Sequence, residues 1–166
     1  AVMASLAVAL SLSPENPSKV DLKALAAFKG VKRRQEILLN TAREIVIEDF
    51  EHHPSAMKAT IESLRNRYPD AEITVCFEPR SNTARGRVFQ DSLPDSLAGA
   101  HNIYIGAVHR AQSMSKDECL DTEIITDQLN ELSTVSDAKA FDENKLLFAY
   151  LEEKRKLKTD RLQVYC

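Results

Sequence analysis

A short polar loop at residues 48–54, EDFEHHP, carries residue types that bind ligands. Asp49 could accept hydrogen bonds from a ribose hydroxyl or an amine. His52 and His53 stand directly before Pro54, which suits the first turn of a helix. A loop that only reverses the chain usually consists of Gly, Asn or Ser. We therefore expect this loop to hold a ligand; the alternative is that Asp49 caps a turn and His53 packs.

A second polar loop, EPRSNT at residues 78–83, combines an anion-binding group with hydrogen-bonding groups. Arg80 offers a guanidinium fork that suits a carboxylate or a phosphate. Ser81, Asn82 and Thr83 follow it and can donate or accept hydrogen bonds. The loop predicts a site for an anionic ligand, whereas a surface ion pair is the alternative role for Arg80 alone.

The spacing of histidines and cysteines favours neither a metal site nor a nucleophile. His52 and His53 are adjacent, so their side chains diverge, whereas a zinc pair on a helix requires i, i+4 spacing and further ligands. His101 and His109 stand apart in sequence. Cys76 lies inside an apolar run and no GxSxG motif occurs, so we predict no metal ligand and no nucleophile among these residues.

The four glycines cannot form a phosphate-binding loop. Neither GxxxxGK[ST] nor GxGxxG can be assembled from them. The basic run at residues 32–34 could still contact a nucleotide bound mainly elsewhere, and a solvated basic turn is the alternative.

The composition is that of a globular protein, with 43% apolar and 28% charged residues. A formal charge of −3 gives no electrostatic basis for binding nucleic acid. Three single cysteines without CxxC spacing favour a reducing cytoplasm. The apolar opening, AVMASLAVALSLS, is shorter than the roughly 20 residues of a membrane span, so we expect no membrane association.

Residues 1–29 are expected to belong to a different domain from residues 30–166. The apolar opening is typical of a buried helix from a longer chain. The following SPENPSKV contains two prolines and two serines and indicates a connection. A second helical pattern, VDLKALAAF, then ends before Gly30.

In the larger part, short apolar runs alternate with helical patterns. The runs are REIVIEDF, AEITVCFE, HNIYIGAV and DRLQVYC. The helical patterns cover residues 54–67, 85–99, 121–132 and 142–157. This alternation predicts an α/β fold with a mostly parallel sheet flanked by helices. Successive parallel strands end at the same edge of a sheet, where ligands usually bind, so EDFEHHP and EPRSNT should lie side by side.

The segment ALAAFKGVKRRQE, followed by EDFEHHPSAMKATIESLRNRYPDAEITVCFEPRSNT, resembles the third, C-terminal domain of the Mur ligase family over roughly residues 24–83. That family has an acid-acid-aromatic-x-His-His-Pro loop, and its peptide-adding branch has Glu-Pro-Arg-Ser-Asn-Thr. Here Glu48 replaces a usual Asp and Glu51 a usual small residue, and residues 107–166 match only loosely. The resemblance implies a Rossmann-like three-layer sandwich. It also implies a separate central domain with the phosphate loop, of which residues 1–29 would be the terminal helices.

The activity that the resemblance implies is ATP-dependent amide formation in the recycling of bacterial cell-wall peptide, in the cytoplasm. ATP activates the carboxylate of UDP-N-acetylmuramate as an acyl phosphate. The amine of L-alanyl-γ-D-glutamyl-meso-diaminopimelate, the murein tripeptide, then attacks it. The central domain would hold most of the ATP and Mg²⁺, so this chain alone is expected to be inactive.

The resemblance also assigns roles by position in the motifs. Arg34 and Asp49 would contact the nucleotide. His52 and His53 would be the catalytic residues beside the incoming amine, with His52 also contacting the substrate. Residues 80–83 would bind carboxylates of the peptide.

Two alternatives remain at this stage. One is the branch of the family that adds free L-alanine to the same nucleotide sugar, although that branch has a different His/Arg-rich sequence in place of EPRSNT. The other is a non-catalytic α/β module that binds a small anion.

Overall fold

Apolar runs separated by polar turns form the strands of one sheet, and amphipathic segments between them form helices. The computed structural model describes residues 31–157 and 159–166. The strands are β1 (Glu36–Asn40), β2 (Glu44–Glu48), β3 (Glu72–Phe77), β4 (Asn102–Ile105), β5 (Asp137–Ala140) and β6 (Gln163–Tyr165). The α-helices are α1 (Pro54–Arg67), α2 (Leu93–Leu97), α3 (Thr122–Asn130) and α4 (Asn144–Lys156). The helices predicted within residues 1–29 lie outside the described residues.

The strand order in the sheet is β1-β2-β6-β3-β4-β5. β1 pairs antiparallel with β2, and every other neighbouring pair is parallel. The predicted mostly parallel α/β sheet is therefore confirmed. The order differs from the expected adjacency of β2 and β3, because β6, which comes last in the chain, lies between them.

Buried side chains hold β6 in this central position. Val164 pairs with Ile45 of β2 and with Ile73 of β3. All three side chains are almost completely buried. Burial of such a side chain contributes about 1.5–3 kcal/mol relative to an exposed one, so β6 stabilises both of its neighbours.

Helices cover both faces of the sheet, as predicted for a three-layer sandwich. On the apolar face, Met57, Ile61 and Leu64 of α1 join the main core, and α2 packs against both α1 and α3. On the opposite face, Tyr150 of α4 contacts Tyr104 of β4, with ring centroids 5.1 Å apart.

The helix predictions hold to different degrees. α1 coincides with the predicted range of residues 54–67, and α3 and α4 lie within theirs. The helix predicted over residues 85–99 is wrong in extent, because it consists of a 3₁₀ turn at Arg87–Phe89 and the five-residue α2. Pro94 lies in the first turn of α2, and proline cannot occupy the interior of a longer helix without breaking it.

The sequence does not indicate β1 or β5. β5 reads DAKA and has only two small apolar residues, while β1 is an edge strand whose Ile37 and Leu38 are exposed. Among the described residues, no helix is long and apolar enough to cross a membrane.

His101 joins three strands at the amino-terminal edge of the sheet. Its Nδ1 accepts a hydrogen bond from the Ile73 N–H at 3.0 Å. The His101 N–H donates to the Ile73 carbonyl, and its own carbonyl accepts from the Ser136 N–H. Burial, helped by the nearby Arg161 and Arg65 guanidinium groups, lowers the pKa of His101. The neutral ring is therefore the form that the folded state requires.

We expect the free energy of unfolding to fall as the pH decreases below about 6.5, the usual pKa of histidine in the unfolded chain. The sign follows from the lowered pKa of His101, because the unfolded chain then binds the proton more readily than the folded one. Urea denaturation at pH 7.5 and pH 5.5 measures the loss. His101→Asn keeps an acceptor without a titrating group and should reduce the pH dependence. An unchanged pH dependence in this variant would contradict the assignment.

Candidate functional site

Five parallel strands end at one edge of the sheet, here called the carboxyl edge. β2 ends at Glu48, β6 at Tyr165 and β3 at Phe77, with the ends of β4 and β5 beyond them. The two predicted loops, the Asp49 loop (residues 48–54) and the Arg80 loop (residues 78–83), both lie at this edge. The expectation that they lie side by side is wrong, because the end of β6 comes between them. No hydrogen bond or ion pair within the described part of the chain joins the two loops.

Asp49 organises its own loop. Its Oδ1 accepts a hydrogen bond from the Glu51 N–H at 3.3 Å, and its Oδ2 accepts from the Thr60 hydroxyl of α1 at 3.2 Å. Asp49 therefore caps the turn that follows it, which is the alternative role that the sequence left open. A carboxylate has about four acceptor sites, so a partly exposed Asp49 can still accept hydrogen bonds from a ligand.

The two histidines diverge, and the Nδ1 of each contacts a residue two positions away in sequence. The Nδ1 of His52 lies 3.1 Å from the Phe50 carbonyl oxygen. His53 is the N-cap of α1, where its Nδ1 accepts from the Ser55 N–H and lies 2.8 Å from the Ser55 hydroxyl. Its ring packs edge-on against Phe89 at 4.9 Å. Within the described residues, the Nε2 of both rings has no hydrogen-bond partner, so this atom is available on each ring.

Arg34 lies next to the Asp49 loop and forms an ion pair with Glu51. The Phe50 ring is half-exposed, and the Arg34 and Arg33 guanidinium groups lie over it at 6.0 Å and 5.0 Å from its centroid. The motif over residues 48–54 includes Phe50 and Glu51, but sequence reasoning assigned neither of them a role. An exposed aromatic residue in a charged loop is the signal that could have identified Phe50.

These groups have the chemistry to contact a nucleotide. The Arg34 fork has five N–H donors and one acidic partner, the Asp49 carboxylate has free acceptor sites, and the exposed Phe50 ring offers a flat apolar surface. No group of three or more His, Cys, Asp or Glu residues suited to a metal ion occurs among the residues that the structure describes.

The Arg80 loop mostly satisfies its own polar groups. The Ser81 hydroxyl accepts from the Ala84 N–H at 3.0 Å, and Asn82 Oδ1 accepts from Arg85 Nη2 at 2.7 Å. The Thr83 carbonyl accepts from the Gly86 N–H. Arg80 is exposed and lies 3.6 Å from a Glu78 carboxylate oxygen, which is the surface pair considered as its alternative role. Arg80 is the cation among the four predicted residues, and its guanidinium is exposed to solvent.

A recess, here called the distal cleft, opens at the ends of β3, β4 and β5 and has a volume of about 660 Å³. Its charged and polar lining residues include Glu78, Arg87, His109, Arg110, Lys116, Asp117, Asp121, Glu123, Asp142 and Asn144. Sequence reasoning assigned no role to the segment after β4. The available signal was the run of charged residues that follows this strand at the ligand-binding edge.

Asn144, the first residue of α4, connects the ends of two strands beneath the distal cleft. Its Oδ1 accepts from the Ala107 N–H after β4 at 2.9 Å, and its Nδ2 donates to Glu78 after β3 at 2.8 Å. A Cβ atom added to Gly106 would lie 2.5 Å from Asn144 Oδ1. Glycine is therefore required at position 106 for this close approach.

No family model matches the chain. The chain is 28% identical over 153 residues to the UDP-N-acetylmuramate–L-alanine ligase of Chlorobium luteolum. This match covers 91% of the chain and 32% of that relative. The chain thus spans about a third of the length of the curated relative.

Two solved structures share the fold. One is a murein peptide ligase from Psychrobacter arcticus, with a TM-score of 0.61 and 24% identity over 86% of this chain and 28% of that one. The other is the UDP-N-acetylmuramate–alanine ligase of Thermotoga maritima, with a TM-score of 0.62 and 18% identity over 94% of this chain and 31% of that one. The resemblance to the C-terminal domain of the Mur ligase family is confirmed by these matches together with the curated relative.

We expect Gly106→Ala to lower the free energy of unfolding by about 1–3 kcal/mol, because the new methyl group displaces Asn144 from its two strand contacts. Gly86→Ala is the matched control, since a Cβ there would meet its nearest atom at an ordinary 3.6 Å. Urea denaturation of both variants measures the difference. Equal stability of the two variants would contradict the role of Asn144.

Proposed function

We propose that this chain, which resembles the C-terminal domain of the Mur ligases in sequence and in fold, is the acceptor-binding domain of an ATP-dependent amide ligase. The ligase would join UDP-N-acetylmuramate to L-alanyl-γ-D-glutamyl-meso-diaminopimelate. ATP, with Mg²⁺, supplies the phosphoryl group that activates the carboxylate. The phosphate loop for this step would belong to the central domain of the same protein.

The observation that carries the proposal is the position of two family motifs at the carboxyl edge of one sheet. The Asp49 loop and the Arg80 loop end two strands that are separated by one strand, so their ends lie about 10 Å apart at the usual spacing of 4.7–4.9 Å. One ligand can extend across both. The Asp49 loop carries the nucleotide-type contacts, and the Arg80 loop carries the cation for a peptide carboxylate.

In this proposal the residues of the Asp49 loop position the reactants. Arg34 and Asp49 would contact the nucleotide. His52 and His53 would lie against the attacking amine through Nε2, the ring nitrogen that neither uses internally. As the C–N bond forms, the amine loses a proton and phosphate leaves the acyl carbon. Holding the amine against an activated acyl group supplies much of the rate, so neither histidine has to act as a strong base.

The peptide acceptor is proposed over free L-alanine on two grounds. Residues 78–83 match the motif of the peptide-adding branch, and the carboxyl edge continues into the distal cleft, which is far larger than one alanine requires. The alternative acceptor, L-alanine, is supported by the similarity to the UDP-N-acetylmuramate–L-alanine ligase of Chlorobium luteolum. The two acceptors are distinguished by experiment.

The full ligase to which this chain is proposed to belong is here called the parent ligase. It should release phosphate from ATP in the presence of UDP-N-acetylmuramate and the tripeptide, but not with L-alanine. Coupled phosphate detection with each acceptor measures this preference. Turnover with L-alanine alone would favour the alternative. The present chain, assayed alone, is expected to show no turnover with either acceptor, because it contains no phosphate-binding loop.

We expect Arg34→Ala in the parent ligase to raise the KM for ATP about tenfold, as one lost charge-assisted hydrogen bond predicts, and to leave the KM for the tripeptide unchanged. Arg43→Ala is the matched control, since Arg43 is an exposed arginine at the opposite edge of the sheet. Initial rates at varied ATP and varied peptide separate the two KM values. A rise in the KM for peptide alone would exclude Arg34 from the nucleotide site.

A further inference from the structure

We propose that the distal cleft binds the third residue of the acceptor peptide and recognises the free carboxylate and ammonium groups of that residue. The inference rests on the proposed function and assigns a role to the segment that follows β4. Arg110 is the residue to which we assign recognition of the side-chain carboxylate.

The charges that line the cleft suit a ligand end that carries both signs. Arg110 and Lys116 belong to the segment after β4, and neither forms an ion pair with any described residue. Asp142, after β5, and Glu123, in the first turn of α3, also line the cleft and form no ion pair among the described residues. A carboxylate would pair with the basic segment, and an ammonium group would pair with the acidic residues.

The distance along the carboxyl edge suits a peptide and excludes a single amino acid. From the end of β2, the end of β4 is three strand spacings away and that of β5 four, or about 14–20 Å at 4.7–4.9 Å each. Three extended residues span at most about 11 Å, and the long side chain of diaminopimelate extends this reach further. Alanine, at about 3.5 Å, cannot contact the Asp49 loop and the distal cleft together.

The wall that carries these groups is held by specific bonds, so that it is formed before a ligand arrives. Gln90 exchanges two hydrogen bonds with the backbone of Asp121, at 2.8 Å and 2.9 Å. The Arg85 guanidinium donates to the His109 carbonyl, and the Arg85 carbonyl accepts from the Leu120 N–H. The Arg85 side chain also contacts the Arg80 loop through Asn82 Oδ1, which couples the two parts of the carboxyl edge.

The backbone at Arg110 is also unusual. Its φ of 55° is in the left-handed region, which a non-glycine residue adopts at a cost. Glycine would fit this position without strain, whereas Arg110 adds a guanidinium to the lining of the distal cleft.

The test compares two tripeptides that differ in one carboxylate. L-Alanyl-γ-D-glutamyl-meso-diaminopimelate carries a carboxylate that its L-lysine counterpart lacks. We expect the wild-type parent ligase to favour the diaminopimelate peptide by about tenfold in kcat/KM, as one charge-assisted hydrogen bond predicts. Arg110→Gln should bring this ratio close to one by raising the KM of the diaminopimelate peptide, and should leave the kinetics of the lysine peptide unchanged. Lys58→Gln, on the exposed surface of α1, is the control that should keep the wild-type ratio.

Two outcomes would overturn the inference while the proposed function stands. One is a wild-type ligase that uses both tripeptides equally, and the other is an Arg110→Gln variant that keeps the wild-type preference. A wild-type ligase that uses L-alanine and neither tripeptide would instead overturn the proposed function, and the inference with it.

Discussion

The position of β6 in the centre of the sheet is the constraint on which the carboxyl edge depends. β6 forms parallel ladders with β2 on one side and β3 on the other. The Glu72 N–H donates to the Leu162 carbonyl and the Cys76 N–H to the Cys166 carbonyl, so bonds run along the whole strand. Without β6, β2 with the Asp49 loop and β3 with the Arg80 loop would have no shared ladder. The last strand of the chain therefore sets the distance between two loops that are close in sequence.

Helix α4 is the second element that organises this edge, and both of its ends are anchored. At its first residue, Asn144 bonds to the strand ends beneath the distal cleft. Further along, Asp137 of β5 accepts from the Tyr150 and Tyr104 hydroxyls at 2.6 Å and 3.0 Å and pairs with Lys154 at 3.1 Å. Burial opposes the ionisation of Asp137, but these partners together lower its pKa. The polar cluster thus fixes the helix that supports the cleft.

Polar groups at the carboxyl edge divide into those that build the loops and those that remain accessible. Asp49 Oδ1 and Oδ2, the Ser81 hydroxyl and Asn82 Oδ1 all bond within or next to their own loops. Arg80 and Arg110 are exposed. Arg80 lies 3.6 Å from Glu78, and Arg110 forms no ion pair with the described residues. Loops whose backbone is held in this way lose little conformational freedom when a ligand binds, which favours recognition by the accessible cations.

The sequence by itself determined the α/β class, the bounds of α1, four of the strands and the resemblance carried by residues 48–54 and 78–83. These features depend on local periodicity, on helix-start residues such as Pro54, and on short motifs, all of which a sequence displays directly. Only the tertiary structure decided the strand order, the separation of the two loops by β6, the pairing of Arg34 with Glu51, and the existence of the distal cleft. Each of these depends on which distant segments pack together. Strand order follows from the burial of side chains such as Val164 against two partners at once, and no local pattern in the sequence specifies those partners.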